Sequence, residues 1–385
     1  MKILLTTDTY FPMINGVSLS TKNLFNKLRE LGHDVRIMTL SENGEEKYED
    51  GIYYLRSFGL KIYPGARVKT PFLGNMVDHI LKWSPDIIHS QTEFSTMVTA
   101  KLMRRKLNVP HIHTYHTMYE DYLGYFPGGK IIGKKTSGNI TKILLNTFSG
   151  VIAPTKKVKD VLKTYGVTTP IYVIPTGIEL DKFKKDIPDD FRNKFYRKYG
   201  ISDSDIIVGY LGRVAEEKNI DEIIDFVKSI DDKRTKLVIA GDGPYLEDLK
   251  NKSSDFSEKI IFTGMVRPCD VYKYYKLFNI FVTASKSETQ GLTYIEALAS
   301  GCPVICRYDK AVVGLIKNGV NGFMYKNKDE FLDKFKKIAY NKNLQEKMSR
   351  GAVISTEPYS IDIFASNVLD VYEKMLIPND IECAG

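Results

Sequence analysis

Residues 285–301 read Ser285-Lys-Ser-Glu288-Thr-Gln-Gly291-Leu-Thr-Tyr-Ile-Glu296-Ala-Leu-Ala-Ser-Gly301, and they indicate the architecture of the second half of the chain. The apolar run before them, residues 278–284, predicts a buried strand, and residues 292–300 predict a helix. Gly291 therefore lies at a strand-to-helix turn. At such a turn, unpaired backbone N–H groups and the helix dipole can bind a diphosphate.

The two glutamates of this segment, Glu288 and Glu296, are eight positions apart, with the glycine turn between them. Along a continuous helix they would be about 80° apart, but the turn sets them at different depths of one crevice. One carboxylate can then bind a sugar ring and the other a ribose. The alternative is a surface glutamate and a helix glutamate around an ordinary turn, and the spacing alone favours it because glutamate is common in helices.

Three similar units precede this segment. The first is an apolar run that ends at Gly212-Arg213 and is followed by Lys218 and a helix, and residues 236–244 and 260–264 repeat the pattern. Four strand–glycine–helix units in succession predict a parallel sheet with a ligand crevice at its carboxyl edge. Arg213 and Lys218 taken singly are ordinary surface charges. Together with the two glutamates they favour a nucleotide-sugar site.

The first half of the chain also begins with a strand, a turn and a helix. Residues 2–8 predict the strand, Gly16 allows close approach of the backbone to a phosphate, and residues 18–31 predict an amphipathic helix. No G-x-G-x-x-G sequence follows this strand, which argues against a dinucleotide oxidoreductase.

These motifs together resemble the retaining glycosyltransferases of family 4. The resemblance implies an α/β GT-B fold, in which two Rossmann-like domains face a cleft and a C-terminal helix crosses back to the first domain. We expect an N-terminal acceptor- or membrane-facing domain at 1–172, with 361–385 packing back on it, and a nucleotide-sugar domain at 173–360. The motifs that carry the resemblance are Gly212-Arg213 with Lys218-Asn219, Ala240-Gly-Asp-Gly243-Pro, and Ser287-Glu288 with Gly291 and Glu296-Ala297.

The resemblance also implies roles for single residues. The catalytic residues would be His116, Glu288, Arg213 and Lys218, with Glu288 on sugar hydroxyls and His116 beside the reacting carbon. The donor would be bound by Gly16, Arg213, Lys218, Gln290, Gly291, Leu292, Thr293 and Glu296, the last on the ribose. The family often has two glycines where this chain has Asn15-Gly16, so one position of positive φ is lost or taken by Asn15.

Three of the six histidines lie in residues 109–117. His111 and His113 share one face of a predicted strand, and we expect that strand near the domain surface. No cysteine or acidic ligand follows at a zinc-site spacing, so no metal is predicted. His116 differs because it falls at the carboxyl end of the strand, where α/β sheets bind ligands.

An aromatic and basic stretch follows His116. It contains Tyr119, Tyr122, Tyr125, Phe126, Lys130, Lys134 and Lys135. Residues 1–170 contain 23 Lys and Arg against 14 Asp and Glu, whereas the remainder of the chain has 32 against 33. This pattern favours an anionic membrane surface, with a plain solvated surface and nucleic acid as alternatives. No recognition helix, finger or RNA-binding signature accompanies the charge.

The stretch His116-Thr-Met-Tyr-Glu-Asp-Tyr122 is similar to what bacterial 1,2-diacylglycerol 3-alpha-glucosyltransferases carry. This resemblance implies retaining transfer of a hexose, expected to be glucose from UDP-glucose, to a membrane lipid such as diacylglycerol, without cofactor or metal. The alternatives are a family 4 enzyme with a soluble or polymer acceptor and a catalytically silent GT-B partner subunit. With no apolar span or cleavable signal, we expect a cytoplasmic protein, peripheral on the inner face of the cell membrane.

Overall fold

The computed structural model describes residues 1–13, 15–59, 67–69, 74–118 and 134–377, without the side chains of residues 134 and 135. The chain forms two compact units. The first unit contains Met1–Ile178 and Ile361–Gly385, and the second contains Glu179–Ser360. The division lies after Ile178 rather than after residue 172, because residues 171–173 still form a strand of the first unit's sheet.

The first unit alternates strands with helices. Its strands are β1 Lys2–Thr6, β2 Asp34–Leu40, β3 Lys47–Glu49, β4 Ile52–Leu55, β5 Phe58–Gly59, β6 Arg67–Val68, β7 Ile87–Ser90, β8 His111–Thr114, β9 Gly150–Ala153 and β10 Ile171–Val173. Its helices are α1 Gly16–Glu30, α2 Asn75–Trp83, α3 Ser95–Leu107, α4 Lys134–Leu145 and α5 Lys156–Thr164.

The main sheet of the first unit has the strand order β10-β9-β8-β7-β1-β2-β4-β3. All neighbours in it are parallel except β3 and β4. Its central strands are buried along their whole length because helices cover both faces, as parallel sheets require. Ile3 and Leu5 pack toward α1 on one face, and Leu4 packs toward α2 and α3 on the other.

The second unit repeats the alternation. Its strands are β11 Ile206–Leu211, β12 Thr235–Ala240, β13 Ile260–Gly264, β14 Ile280–Thr283, β15 Val304–Arg307 and β16 Gly322–Tyr325. Its helices are α6 Leu180–Lys184, α7 Asp189–Tyr199, α8 Ile220–Lys228, α9 Leu246–Lys252, α10 Val271–Leu277, α11 Leu292–Ala299, α12 Lys328–Ala339 and α13 Lys342–Ile354.

The sheet of the second unit is parallel, with the order β13-β12-β11-β14-β15-β16. Successive strands first add on one side of β11 and then on the other. The direction of winding therefore reverses between β11 and β14. In doubly wound sheets the ligand crevice lies at such a switch point, beyond the carboxyl ends of the two strands. The corresponding switch point of the first unit lies between β1 and β7.

The last helix, α14 Ile361–Leu376, belongs to the first unit, as predicted. Its buried residues, among them Phe364 and Val368, join the core that contains α1. The Tyr372 hydroxyl hydrogen-bonds His89 Nδ1 at 2.7 Å, and the other ring nitrogen of His89 bonds Thr114 Oγ1 at 2.7 Å. A fully buried polar chain thus ties the C-terminal helix to two central strands.

The expectation of a surface strand at His111 and His113 is wrong. Both side chains are fully buried, because β8 lies between β7 and β9 inside the sheet. His111 Nε2 bonds Ser90 Oγ at 2.7 Å, and His113 Nε2 lies 3.1 Å from Glu93 Oε1.

None of the helices in the described part of the chain combines the length and the apolar character that a membrane span needs.

Tyr372→Phe is expected to destabilise the first unit by about 1–3 kcal/mol, because it leaves a fully buried ring nitrogen of His89 without its partner. Trp83 is the single tryptophan of the chain and lies in this unit, so its fluorescence during urea unfolding reports this transition. Asp370→Ser, at an exposed position of the same helix, is the matched control and should change little. Equal midpoints for the two variants would refute the role of the hydroxyl.

Candidate functional site

The predicted donor residues of the second unit meet at its switch point. Gly212 and Arg213 follow β11, and Glu288 follows β14, the neighbouring strand. Lys218 ends the short 3₁₀ turn Glu216–Lys218 before α8. Because two adjacent parallel strands end here, side chains that are 70 positions apart in sequence come into contact.

The closest of these contacts is an ion pair. Lys218 Nζ donates to Glu288 Oε1 at 2.7 Å, and the two side chains are 19% and 14% exposed. The pair combines an ammonium donor with a carboxylate acceptor. The predicted phosphate-binding lysine and the predicted sugar-binding carboxylate therefore lie one hydrogen bond apart.

Arg213 is held from two directions. The Tyr210 hydroxyl donates to the Arg213 carbonyl at 2.8 Å, which sets the backbone of the loop. Its guanidinium Nη1 lies 3.9 Å from Glu217 Oε1, and the side chain is 37% exposed. With Lys218 and Glu288 this makes two positive and two negative charges. The charges of these four side chains therefore balance.

Glycines keep the neighbouring loops close. Val214 donates its N–H to the Asp242 carbonyl at 2.9 Å, which joins the loop after β11 to the loop after β12. A methyl group on Gly241 would overlap the Gly212 carbonyl, so only glycine fits there. Gly243 faces the Val214 carbonyl in the same way. The Ala240-Gly-Asp-Gly243 motif is explained by this backbone packing.

Gly291 lies at the start of α11, as predicted. Its φ of +80° is in the left-handed region, and a side chain at this position would meet the Tyr294 ring. The first N–H groups of a helix, here those of Leu292 and Thr293, have no partner within the helix, and no acidic residue lies in the first turn. The preceding Gln290 is buried. This helix start can accept an anion.

Glu296 lies one turn further along α11. The Tyr275 hydroxyl donates to its Oε2 at 2.9 Å. Burial raises the pKa of the Glu296 carboxyl to about 7, although the Tyr275 hydrogen bond and the nearby Lys182 lower it. The carboxyl therefore changes its charge near neutral pH, and a ligand that donates hydrogen bonds would favour the ionised form.

The first unit has polar residues at its own switch point. Asp8 follows β1 and accepts a hydrogen bond from the Thr96 N–H at 3.0 Å, at the start of α3. Thr92, which follows β7, donates its hydroxyl to Asp8. Burial raises the pKa of the Asp8 carboxyl, against the hydrogen bonds from Thr92 and Thr96 that lower it. Asp8 was not among the predicted site residues, although a polar residue shortly after an apolar strand was the available signal.

His116 lies two residues beyond β8 and is partly buried. Its Nε2 is 2.9 Å from Oε1 of Gln91, which was also not among the predicted site residues. Burial, with the nearby His113, lowers the pKa of His116 to about 3. The imidazole is therefore neutral at physiological pH.

Gly16 is the first residue of α1. Asn15 does not take a positive φ, because its φ is −151° and its side chain caps the helix by accepting from the Ser18 N–H. The predicted position of positive φ is therefore lost rather than transferred to Asn15.

The predicted acceptor and membrane residues fall mostly outside the described residues. Tyr119, Tyr122, Tyr125, Phe126 and Lys130 are in this group. Lys134 and Lys135 begin α4, but their side chains are not described. Within the described ranges, no three His, Cys, Asp or Glu side chains are placed to hold a metal ion, and metal independence stays a prediction.

We predict that Glu296 titrates near pH 7 in the folded protein. A folded-state pKa above the unfolded value means that the folded chain binds the proton more tightly, so this group's contribution to stability falls as pH rises from about 4.5 to about 7. Tyr275→Phe should raise the pKa further, because it removes a donor to the carboxylate. Carboxyl ¹³C shifts from glutamate-labelled protein measure both values.

Glu296→Gln assigns the signal, and Glu216→Gln, at an exposed position of the same unit, is the control for substitution itself. An assigned Glu296 signal that titrates near 4.5 would contradict the effect of burial.

Two family profiles match the chain. The profile "Glycosyltransferase Family 4" matches residues 14–182, and "Glycosyl transferases group 1" matches residues 191–353. The first range lies almost entirely in the first unit, and the second range lies within the second unit. Among solved structures, Anabaena Alr3699/HepE in complex with UDP-glucose is similar with a TM-score of 0.77 and 16% identity over 97% of this chain and 100% of that one. WaaG, a glycosyltransferase involved in lipopolysaccharide biosynthesis, is similar with a TM-score of 0.70 and 14% identity over 96% of this chain and 99% of that one. These likenesses support the GT-B fold.

Two relatives in sequence share the name alpha-monoglucosyldiacylglycerol synthase. The protein from Streptococcus pneumoniae is 39% identical in an alignment of 333 positions that covers 84% of this chain and 75% of that one. The protein from Acholeplasma laidlawii is 30% identical in an alignment of 399 positions that covers 99% of this chain and 98% of that one. With the fold and both profiles in agreement, the chain belongs to the family 4 glycosyltransferases of the GT-B fold.

Proposed function

We propose that this glycosyltransferase moves glucose from UDP-glucose to 1,2-diacylglycerol with retention of the α configuration. The observation that carries the proposal is the Lys218–Glu288 pair at the switch point of the second unit. It combines a phosphate-binding cation with a sugar-binding carboxylate, as transfer from a nucleotide sugar requires. The names of the two relatives, both alpha-monoglucosyldiacylglycerol synthases, support glucose as the sugar and diacylglycerol as the acceptor.

On this proposal the second unit stabilises the leaving diphosphate. Departure of UDP develops negative charge on the phosphates, and fixed donors aimed at that charge lower the barrier. Lys218, which pairs with Glu288, would add its ammonium charge, and Arg213 would add a planar fork of donors. The N–H groups of Leu292 and Thr293 add the start of α11. We propose that these groups carry the charge without a metal ion.

The two glutamates would bind the two sugars of the donor. Glu288, whose Oε1 accepts from Lys218, would accept hydrogen bonds from hexose hydroxyls. Glu296 would accept hydrogen bonds from the ribose, which favour its ionised form. Both phosphates of UDP-glucose are diesters and stay ionised near neutral pH. The affinity for the donor should therefore weaken as pH falls below about 7 through Glu296.

His116 is assigned to the transferred sugar. Its neutral imidazole cannot add a positive charge beside an oxocarbenium-like centre, which suits a reaction that builds positive charge on the sugar. The acceptor hydroxyl would attack the sugar carbon from the face that UDP leaves, so the configuration would be retained. The leaving phosphate would take the proton of that hydroxyl.

The acceptor assignment predicts contact with a membrane. Residues 95–178 contain 12 Lys and Arg against 3 Asp and Glu, whereas residues 1–94 contain 11 of each. The excess of positive charge therefore lies in residues 95–178, the part of the first unit that contains α3, α4 and α5. On α4, Ile140 and Ile143 are 56% and 71% exposed and lie three residues apart, on one side of the helix.

Cationic side chains occur in the same part of the first unit. Lys142 is exposed on the same helix, and Arg104 of α3 donates at 2.8 Å to the carbonyl of Thr147, two residues after the end of α4. Exposed aliphatic side chains together with cations are typical of a helix that lies in the interface of an anionic membrane. We propose that α4 contributes to peripheral association of the enzyme with the inner face of the cell membrane.

The direct test is turnover of UDP-glucose with and without vesicles that contain diacylglycerol. The proposal predicts formation of an α-glucosyl lipid that depends on diacylglycerol. Transfer to a soluble acceptor alone would point to another branch of the family. No turnover of any UDP-sugar, together with intact UDP binding, would point to a catalytically silent partner subunit.

Lys218→Met and Glu288→Gln should each lower kcat/KM for UDP-glucose by roughly 100-fold or more, because each removes a charged contact that strengthens in the transition state. The effects of the two changes should not add, since the side chains share a hydrogen bond. Lys337→Ala, at an exposed position of α12 in the same unit, is the matched control.

The assay is run in EDTA, and a need for added Mg²⁺ or Mn²⁺ would refute the metal-free proposal.

Replacing Ile140 and Ile143 together by Ser should weaken binding to anionic vesicles about 10-fold or more, through lost burial of apolar surface. Binding of the parent should also fall with salt, which screens charges beyond about 10 Å at 0.1 M. Flotation with vesicles of increasing anionic lipid content, at low and at high salt, measures both effects. Ile354→Ser, at a 65% exposed position in the other unit, is the control. Unchanged flotation of the double variant would refute the role of α4.

A further inference from the structure

His116 and Gln91 form a pair that joins the ends of two neighbouring strands of the first unit. Gln91 follows β7, and its backbone N–H donates to the Thr6 carbonyl at 2.8 Å, so the residue is anchored to β1. Tyr115, directly before His116, donates its N–H to the Ile152 carbonyl at 2.9 Å and anchors the other member to β9. The contact between His116 Nε2 and Gln91 Oε1, at 2.9 Å, is thus made between two fixed backbones.

The chemistry of this contact determines the tautomer of the imidazole. A carboxamide oxygen can only accept a hydrogen bond, so the Nε2 atom that faces it must carry the hydrogen. In a neutral imidazole the other nitrogen, Nδ1, then has the lone pair and can only accept. The orientation of the Gln91 amide therefore determines which role His116 offers to a ligand.

The ring also stays neutral in this environment. Among the described residues, the titratable groups near it include His113 and His89, and Glu93 Oε1 lies 3.1 Å from His113 Nε2. Burial together with His113 keeps the pKa of His116 near 3. A single hydrogen-bonding pattern is therefore maintained across the neutral pH range.

A purely structural role explains Gln91 poorly. Its side chain is 1% exposed, and in the described part of the chain its Nε2 atom has no hydrogen-bond partner. Leaving a buried amide half satisfied costs about 1–3 kcal/mol. An apolar side chain of the same size would avoid that cost at this position. The polar side chain is explained by its bond to His116.

We propose that Gln91 is a positioning residue that holds His116 as the Nε2–H tautomer, so that Nδ1 accepts a hydrogen bond from a hydroxyl group of the transferred sugar. This inference rests on the proposed function, because it takes the sugar as the ligand of His116. It adds a specificity rule: the site selects a sugar hydroxyl that donates at this position and disfavours a deoxy sugar.

The tautomer can be measured without turnover. In protein labelled with ¹⁵N-histidine, long-range ¹H–¹⁵N correlation distinguishes the two neutral tautomers, and His116→Asn assigns the ring among the six histidines of the chain. The expected result is the Nε2–H form at pH 7.5, with a mixture of tautomers in Gln91→Met. An Nδ1–H form or an imidazolium in the parent would overturn the inference, whatever the enzyme transfers.

Two variants then test the consequence for the reaction. Gln91→Met should lower kcat about 5- to 100-fold, the range expected for one misdirected hydrogen bond, without a new ionisation. Gln91→Glu puts a carboxylate against Nε2–H and raises the pKa of His116. Its kcat should therefore fall as pH decreases from 9 to 6, because a doubly protonated ring cannot accept, while the parent shows no such step.

The readout is kcat at saturating donor, so that the ionisation of Glu296 in the free enzyme does not enter. A Gln91→Glu profile identical to the parent's would refute the positioning role. If NMR gives the expected tautomer but neither variant changes kcat, the pair exists and His116 does not contact the sugar. That outcome would contradict the proposed function of His116 and not its tautomer.

Discussion

Both units depend on the same constraint: a parallel sheet must be covered on both faces, so its strands end in loops that gather at one edge. The chain winds outward in two directions from β1 and from β11, and the two switch points leave a gap between diverging loops. Asp8 and Thr92 meet at the first gap, and Lys218 and Glu288 meet at the second. Contacts between residues 84 and 70 positions apart thus follow from strand order.

Charge balance at the second gap explains how two cations are accommodated there. Two cations placed together at a partly buried edge would repel each other, and each would lose part of its hydration. Glu288 and Glu217 provide the opposite charges for Lys218 and Arg213. On the proposed function, the diphosphate would add its bonds to this network, so the ion pair would orient Lys218 and Glu288 before the donor arrives.

The sequence predicted features that depend on local patterns. The turn at Gly291 and the helix that follows it from residue 292 are consequences of apolar periodicity and glycine placement. It could not predict the burial of His111 and His113, because their strand becomes interior only through the order of strands in the sheet. Nor could it find Gln91, whose only bonded side-chain partner in the described chain lies 25 positions away across two strands. Contacts that depend on strand order are not visible in a local pattern.

The same physical cause shifts the pKa values of Glu296 and His116 in opposite directions. Burial disfavours the charged form of any group, so the pKa of the carboxyl rises to about 7 while that of the imidazole falls to about 3. At neutral pH the Glu296 carboxyl is partly ionised, whereas the His116 imidazole is neutral. On the proposed function, pH would therefore act on ribose binding in the second unit and leave the contact of His116 with the sugar unchanged. An enzyme built in this way would lose donor affinity in mild acid before it lost its catalytic rate at saturation.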